Sequence, residues 1–74
     1  MLALMFWWFQ RNREYIRHDV RTIANGYELV VLLPDGTERI ERFRDQTVLE
    51  DRRAALVRDL EDDGWTCLYD GRSQ

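Results

Sequence analysis

A chain of 74 residues with one cysteine, one histidine and a net charge of −3 has room for a single hydrophobic core, and a second domain is excluded because domains rarely fall below about 50 residues. It cannot close an intramolecular disulfide, and Cys67 and His18 alone fall short of the Cys/His clusters that hold zinc. A pI near 5.0 weighs against a general nucleic-acid binder, whose domain gathers surplus Lys and Arg on one face.

The chain opens on MLALMFWWF, nine apolar residues, well short of the roughly 20 that span a bilayer as a helix. A secretory leader would carry its basic residues ahead of the apolar stretch, whereas Arg11 and Arg13 follow it, so no membrane span and no export are expected. Met5 inside the run suggests that residues 1–4 form an extension. Phe6 to Arg11 is aromatic enough for a strand, with a short helix over residues 2–12 as the competing reading, because periodicity alone does not separate the two.

After a turn at Asn12-Arg13-Glu14, the segment Tyr15 to Ile23 alternates. Ile16, His18, Val20 and Thr22 fall on one parity and Tyr15, Arg17, Asp19 and Arg21 on the other, as in a strand with one wet face. Asn25-Gly26 predicts a hairpin turn. Tyr27 to Leu33 is apolar on both parities, with Leu29, Val31 and Leu33 opposite Val30 and Leu32, which suits a strand covered on both sides. Pro34 ends it, and Asp35-Gly36 predicts a second hairpin turn. The fourth strand, Thr37 to Phe43, has Ile40 and Phe43 as its apolar contacts; their spacing of three predicts a bulge or an early strand end.

Thr47-Val48-Leu49-Glu50 fits a capping box and starts a helix at about Val48. Leu49, Leu56 and Leu60 form one stripe with Val57 on its shoulder, so one face should lie on the sheet. Arg53 falls inside this stripe and is expected to bury its stem and reach Glu38 or Glu41 at the sheet edge. Gly64 is placed as a left-handed cap with Trp65 packing back on the last turn. Trp65 to Tyr69 adds a short strand, and residues 70–74 should fray. The whole is predicted to be one α+β domain over residues 1–74, an antiparallel four- to five-stranded meander with one amphipathic helix on one face.

Little in this pattern points to catalysis. Asp59, Glu61, Asp63, Gly64 and Asp70 match part of a calcium loop, but Leu60 belongs to the helix stripe and no exit helix follows, so a solvated acidic helix end is the better reading. His18 has no nucleophile or carboxylate pair beside it. Cys67 sits in apolar sequence with acidic neighbours and reads as a small hydrophobe. No phosphate loop, dinucleotide fingerprint or nucleophile elbow is present. The expectation is no enzyme, no catalytic residue, no metal and no cofactor, in a reducing, cytoplasmic setting.

The aromatic cluster Phe6, Trp7, Trp8 and Phe9, with Tyr15 and Tyr27, is the one feature suited to recognition. Trp, Tyr, Phe and Arg are enriched at protein contacts, and one helix covers only one face of a sheet that is apolar on both. A homodimer or partner-protein interface through these six residues is therefore expected. The alternative is a single-stranded nucleic-acid platform built from Trp7, Trp8 and Tyr15 with Arg11, Arg13 and Arg17, which the acidic total disfavours.

The succession W-F-Q-R-N, Y-E-L-V-V-L-L-P-D-G-T-E-R-I-E-R-F, an Arg- and Leu-rich helix and D-G-W, spanning about Phe6 to Trp65, resembles a group of small bacterial proteins with an aromatic N-terminus, a P-D-G hairpin ending in E-R-F and a Gly-Trp after the helix. No activity is established for that group, so the resemblance implies the hairpin and helix boundaries and no site residue. A bacterial origin also suits a chain whose eleven basic residues are all arginine. The strand-then-helix order is similar in outline to whirly-type single-strand binders, a likeness that fixes no function.

Overall fold

The computed structural model describes residues 4–70, which form a five-stranded antiparallel sheet and one helix. The strands are β1 (Leu4–Arg11), β2 (Glu14–Ile23), β3 (Gly26–Leu32), β4 (Glu38–Phe43) and β5 (Thr66–Asp70), with helix α1 (Gln46–Asp62) between the last two. Strands β1 to β4 make a meander, and β5 adds antiparallel to the far edge of β1, giving the order β4-β3-β2-β1-β5. The expected fold class is the one observed. The competing helix over residues 2–12 gives way, from Leu4 on, to a strand paired on both sides. The expected extension at residues 1–4 and the frayed tail at 70–74 lie outside the described residues, apart from Leu4 and Asp70, which begin β1 and end β5.

The hairpins differ in detail from their sequence reading. Arg11 pairs with Glu14 across a two-residue turn in which Asn12 takes φ 55°, a left-handed conformation that Asn tolerates better than most residues. The second turn is Ala24-Asn25 rather than Asn25-Gly26, since Ile23 pairs with Gly26. The glycine serves another purpose there: a Cβ on Gly26 would lie 2.1 Å from the Phe43 carbonyl oxygen, so the end of β4 can pass only because no side chain is present. The third connection is a three-residue loop, Pro34-Asp35-Gly36. Gly36 N donates to Leu33 O and Leu33 N to Thr37 O, both at 2.9 Å, while Asp35 Oδ1 accepts from Thr37 N at 3.0 Å and Thr37 Oγ1 at 2.7 Å. These two bonds hold the Asp35 carboxyl below its ordinary pKa.

No bulge interrupts β4. Its register with β3 runs unbroken from Tyr27–Phe43 to Leu32–Glu38, because Ile40 and Phe43 serve opposite faces of the sheet and need no common parity. The register shift falls instead between Trp8 and Phe9, where β1 meets β5.

The helix begins two residues earlier than the capping box suggested. Asp45 is the N-cap, its Oδ1 accepting from Thr47 N at 2.7 Å, so Thr47 lies inside the first turn. Replacing Asp45 with Ala should cost about 1 kcal/mol of stability while Asn stays within a few tenths, as read from denaturant midpoints. At the other end, Gly64 N donates to Glu61 O at 3.1 Å and Trp65 N to Leu60 O at 2.9 Å, with Gly64 at φ 90°. This is the Schellman pattern, as the sequence implied. Arg11 reaches in from β1 to complete the end. Its Nη1 donates to Asp63 O at 3.0 Å and to Asp63 Oδ2 at 2.6 Å, and its guanidinium lies 4.7 Å above the Trp65 ring.

The core lies between α1 and one face of the sheet. Cross-strand partners share a face, and the rows Phe9–Ile16, Trp7–His18–Val31 and Met5–Val20–Leu29 all turn toward the helix. Leu49, Leu56, Val57 and Leu60 meet them from α1, and Trp65 closes one end. Trp7, Phe9, His18, Leu29 and Leu49 are at most 1 % exposed. Arg53 is buried with them. Its guanidinium sits 4.4 Å over the Trp7 ring and its Nε lies 3.4 Å from Glu50 Oε1. The expected reach to Glu38 or Glu41 is not made: Glu41 is taken by Arg52, one residue and about 100° round the helix, at 3.0 and 3.1 Å.

Candidate functional site: the outer face of the sheet

The side of the sheet away from α1 carries five cross-strand rows. They are Gln10–Tyr15, Trp8–Arg17–Leu32–Glu38, Phe6–Asp19–Val30–Ile40, Arg21–Glu28–Arg42 and Ile23–Gly26. Alternation along each strand produces this segregation: every second residue of β1 to β4 that does not enter the core lands here. No described element packs over these rows, and Tyr15 (47 %), Leu32 (37 %) and Ile40 (48 %) stand well exposed.

Arg17 organises the centre. Its Nε donates to Asp19 Oδ1 at 2.6 Å, and its guanidinium lies 4.5 Å from the Phe6 ring centroid and 5.5 Å from that of Trp8. A planar cation over two ring faces is held by the ring quadrupoles as well as by its carboxylate. Trp8 and Tyr15 meet edge to face, 6.2 Å apart at 87°, and Gln10 Nε2 donates to the Tyr15 hydroxyl at 3.3 Å. Glu28 accepts from Arg42 Nε at 2.9 Å. At the end of the sheet where the first and third connections approach, Trp8, Arg13, Tyr15, Arg17, Leu32 and Pro34 border a hollow of about 360 Å³.

The six aromatic residues singled out from the sequence therefore divide. Phe6, Trp8 and Tyr15 share the outer face. Trp7, Phe9 and Tyr27 lie on the helix-covered face, the first two as core residues. Adjacent residues of a strand point opposite ways, so a run of four aromatics cannot serve one surface. Of the arginines, Arg17 and, at the rim of the hollow, Arg13 accompany Trp8 and Tyr15, whereas Arg11 is committed to the helix end. Val30, Leu32 and Ile40 belong to the face and were not among the candidates; the signal for the first two was the second apolar parity of YELVVLL.

His18 is no surface base. It is 1 % exposed, its ring lies 5.1 Å from that of Phe9, and its Nδ1 has no hydrogen-bond partner. Burial, and then the nearby Arg53 charge, push its pKa down to about 4 against a smaller upward pull from Asp19. Cys67 lies exposed on β5. Among the described residues no helix is long and apolar enough to cross a membrane. Comparison of the chain with protein-family models, with curated proteins and with solved structures found no match.

Proposed function

We propose that this chain is a non-enzymatic interaction module of the cytoplasm that docks on protein through the outer sheet face, with a second copy of itself as the favoured partner. The observation that carries this reading is the open apolar surface formed by Phe6, Trp8, Tyr15, Leu32 and Ile40 on the side that α1 leaves bare. Aromatic and aliphatic side chains gathered around an arginine on one face are the residue types enriched at protein contacts. Charge favours a self-complementary contact over a phosphate backbone. The rows hold three arginines (17, 21, 42) and three carboxylates (19, 28, 38), so a twofold-related copy can set each sign against its opposite.

Four strands at about 4.8 Å spacing and six or seven residues of about 3.3 Å each give a flat footprint of roughly 380–440 Å². Counted on both partners that is below the standard size of a specific interface and in the range of weak, transient contacts, so association is expected at micromolar concentration or above. Sedimentation velocity across that range should show a dimer, and Trp8→Ser should weaken it roughly tenfold or more without loss of secondary structure, as for a central aromatic contact. A monomer at every concentration sinks the proposal. Salt-dependent binding of a labelled single strand by the same variant series would transfer the face to nucleic acid, since the phosphate contribution is strongest at low salt.

A further inference from the structure

His18, Val31 and Arg39 are successive partners in one row across β2, β3 and β4, on the helix side of the sheet. With strands about 4.8 Å apart, the row runs about 10 Å from histidine to arginine. Over it α1 does not close down. A cleft of about 180 Å³ remains, walled by Ile16, Val31 and Leu33 of the sheet side and Leu56 and Leu60 of the helix. Its inner end is the buried His18 and its open end the exposed Arg39. At the rim, Arg52 and Glu41 hold each other and tie α1 to β4.

Two residues that line this cleft carry polar groups with no partner. The buried His18 imidazole forms its inner wall, and its Nδ1 has no hydrogen-bond partner, a condition that is rare in folded proteins. Arg39 makes no hydrogen bond or ion pair among the described residues, in contrast to Arg11, Arg17, Arg42, Arg52 and Arg53. Between them the walls are apolar. The volume sets the scale of what fits: an apolar cavity of about 150 Å³ takes one benzene ring, so this cleft of about 180 Å³ has space for a single ring whose polar substituent extends through the open end.

We propose that the cleft binds a single-ring aromatic carboxylate with a hydroxyl para to the acid group. The ring lies over Val31, the carboxylate meets Arg39 at the open end, and the hydroxyl meets His18. A hydroxyl both donates and accepts, so it serves the neutral imidazole in either tautomer. The guanidinium supplies a forked pair of donors for the carboxylate. Glu41 is already spent on Arg52, and Asp59 at the rim selects against a second negative charge on the ligand.

The test is a titration of the full chain with 4-hydroxybenzoate, followed by NMR of the His18 imidazole and the Leu56 and Leu60 methyl groups. Saturable shifts confined to these groups are expected. Arg39→Gln, an exposed change on an edge strand, should weaken binding roughly tenfold. Benzoate and phenol, each lacking one polar end, should bind several-fold more weakly, and Leu56→Phe should fill the cleft and abolish the shifts. Absence of saturation at millimolar ligand, shifts on Trp8 and Tyr15 of the opposite face, or equal binding by Arg39→Gln would each overturn the assignment.

Discussion

Serine at position 7 is expected to unfold the chain, whereas serine at position 8, its neighbour, should leave the fold standing and weaken only association. Trp7 is 1 % exposed and lies under the Arg53 guanidinium at 4.4 Å, beside His18 in the core row. Truncating a buried tryptophan costs about 3–5 kcal/mol, and here it also strips Arg53 of the ring that accompanies its burial. A 74-residue chain has only about 4–11 kcal/mol in total at the usual 0.05–0.15 per residue, so the loss consumes from about a quarter to all of it, and the added loss of the ring over Arg53 pushes toward the upper end. Trp8 is half-buried on the open face, where its removal leaves no cavity between layers. Far-UV circular dichroism and denaturant midpoints of the two variants separate the outcomes. A folded Trp7→Ser protein with normal stability, or an unfolded Trp8→Ser protein, would reverse the assignment of faces on which the proposed interface rests.

That assignment was within reach of the sequence, yet only through one missing fact. The alternation of Ile16, His18 and Val20 against Arg17, Asp19 and Arg21 fixes which side of β2 is dry. A two-residue turn at Asn12-Arg13 then sets Arg11 against Glu14, Phe9 against Ile16 and Trp7 against His18. Read with a three-residue turn, as Asn12-Arg13-Glu14 suggested, every aromatic of β1 changes face, because register and side-chain direction are locked together. Composition sees four aromatics and cannot divide them. The strand order of the meander, the helix and its glycine cap were legible because hairpin punctuation, leucine spacing and Gly64-Trp65 act locally. What resisted was tertiary. Asp45 and Thr47 are both competent caps, and the chain uses the earlier one. Arg53 turned to Trp7 rather than Glu41 because the helix, once placed, presents Arg52 to the β4 edge. The cleft over Val31 has no sequence signature at all, since it arises from how far two layers stand apart.

Acid should destabilise this protein across a window set by one residue, His18. In the unfolded chain its imidazole takes up a proton near the ordinary 6.5, while in the folded chain burial and the Arg53 charge hold that step down to about 4. Above the ordinary value both states are neutral and stability does not depend on this group. Between the two values the unfolded state binds the extra proton, so stability falls as pH falls, and the full difference is reached only once the folded-state value is passed. A gap of this size corresponds to about 3 kcal/mol at 1.36 per pH unit, a large share for so small a domain. Urea midpoints measured at neutral pH and at the lower edge of the window should show the loss, and His18→Leu should abolish the pH dependence there. Arg53→Met should raise the folded imidazole's pKa, because the repelling charge is gone while burial remains, and so narrow the window. The direct reading is the His18 resonance titrated by NMR. An imidazole that titrates near its ordinary value in the folded protein would mean that water reaches it, and the closed inner end of the cleft would then have to be abandoned together with the acid sensitivity.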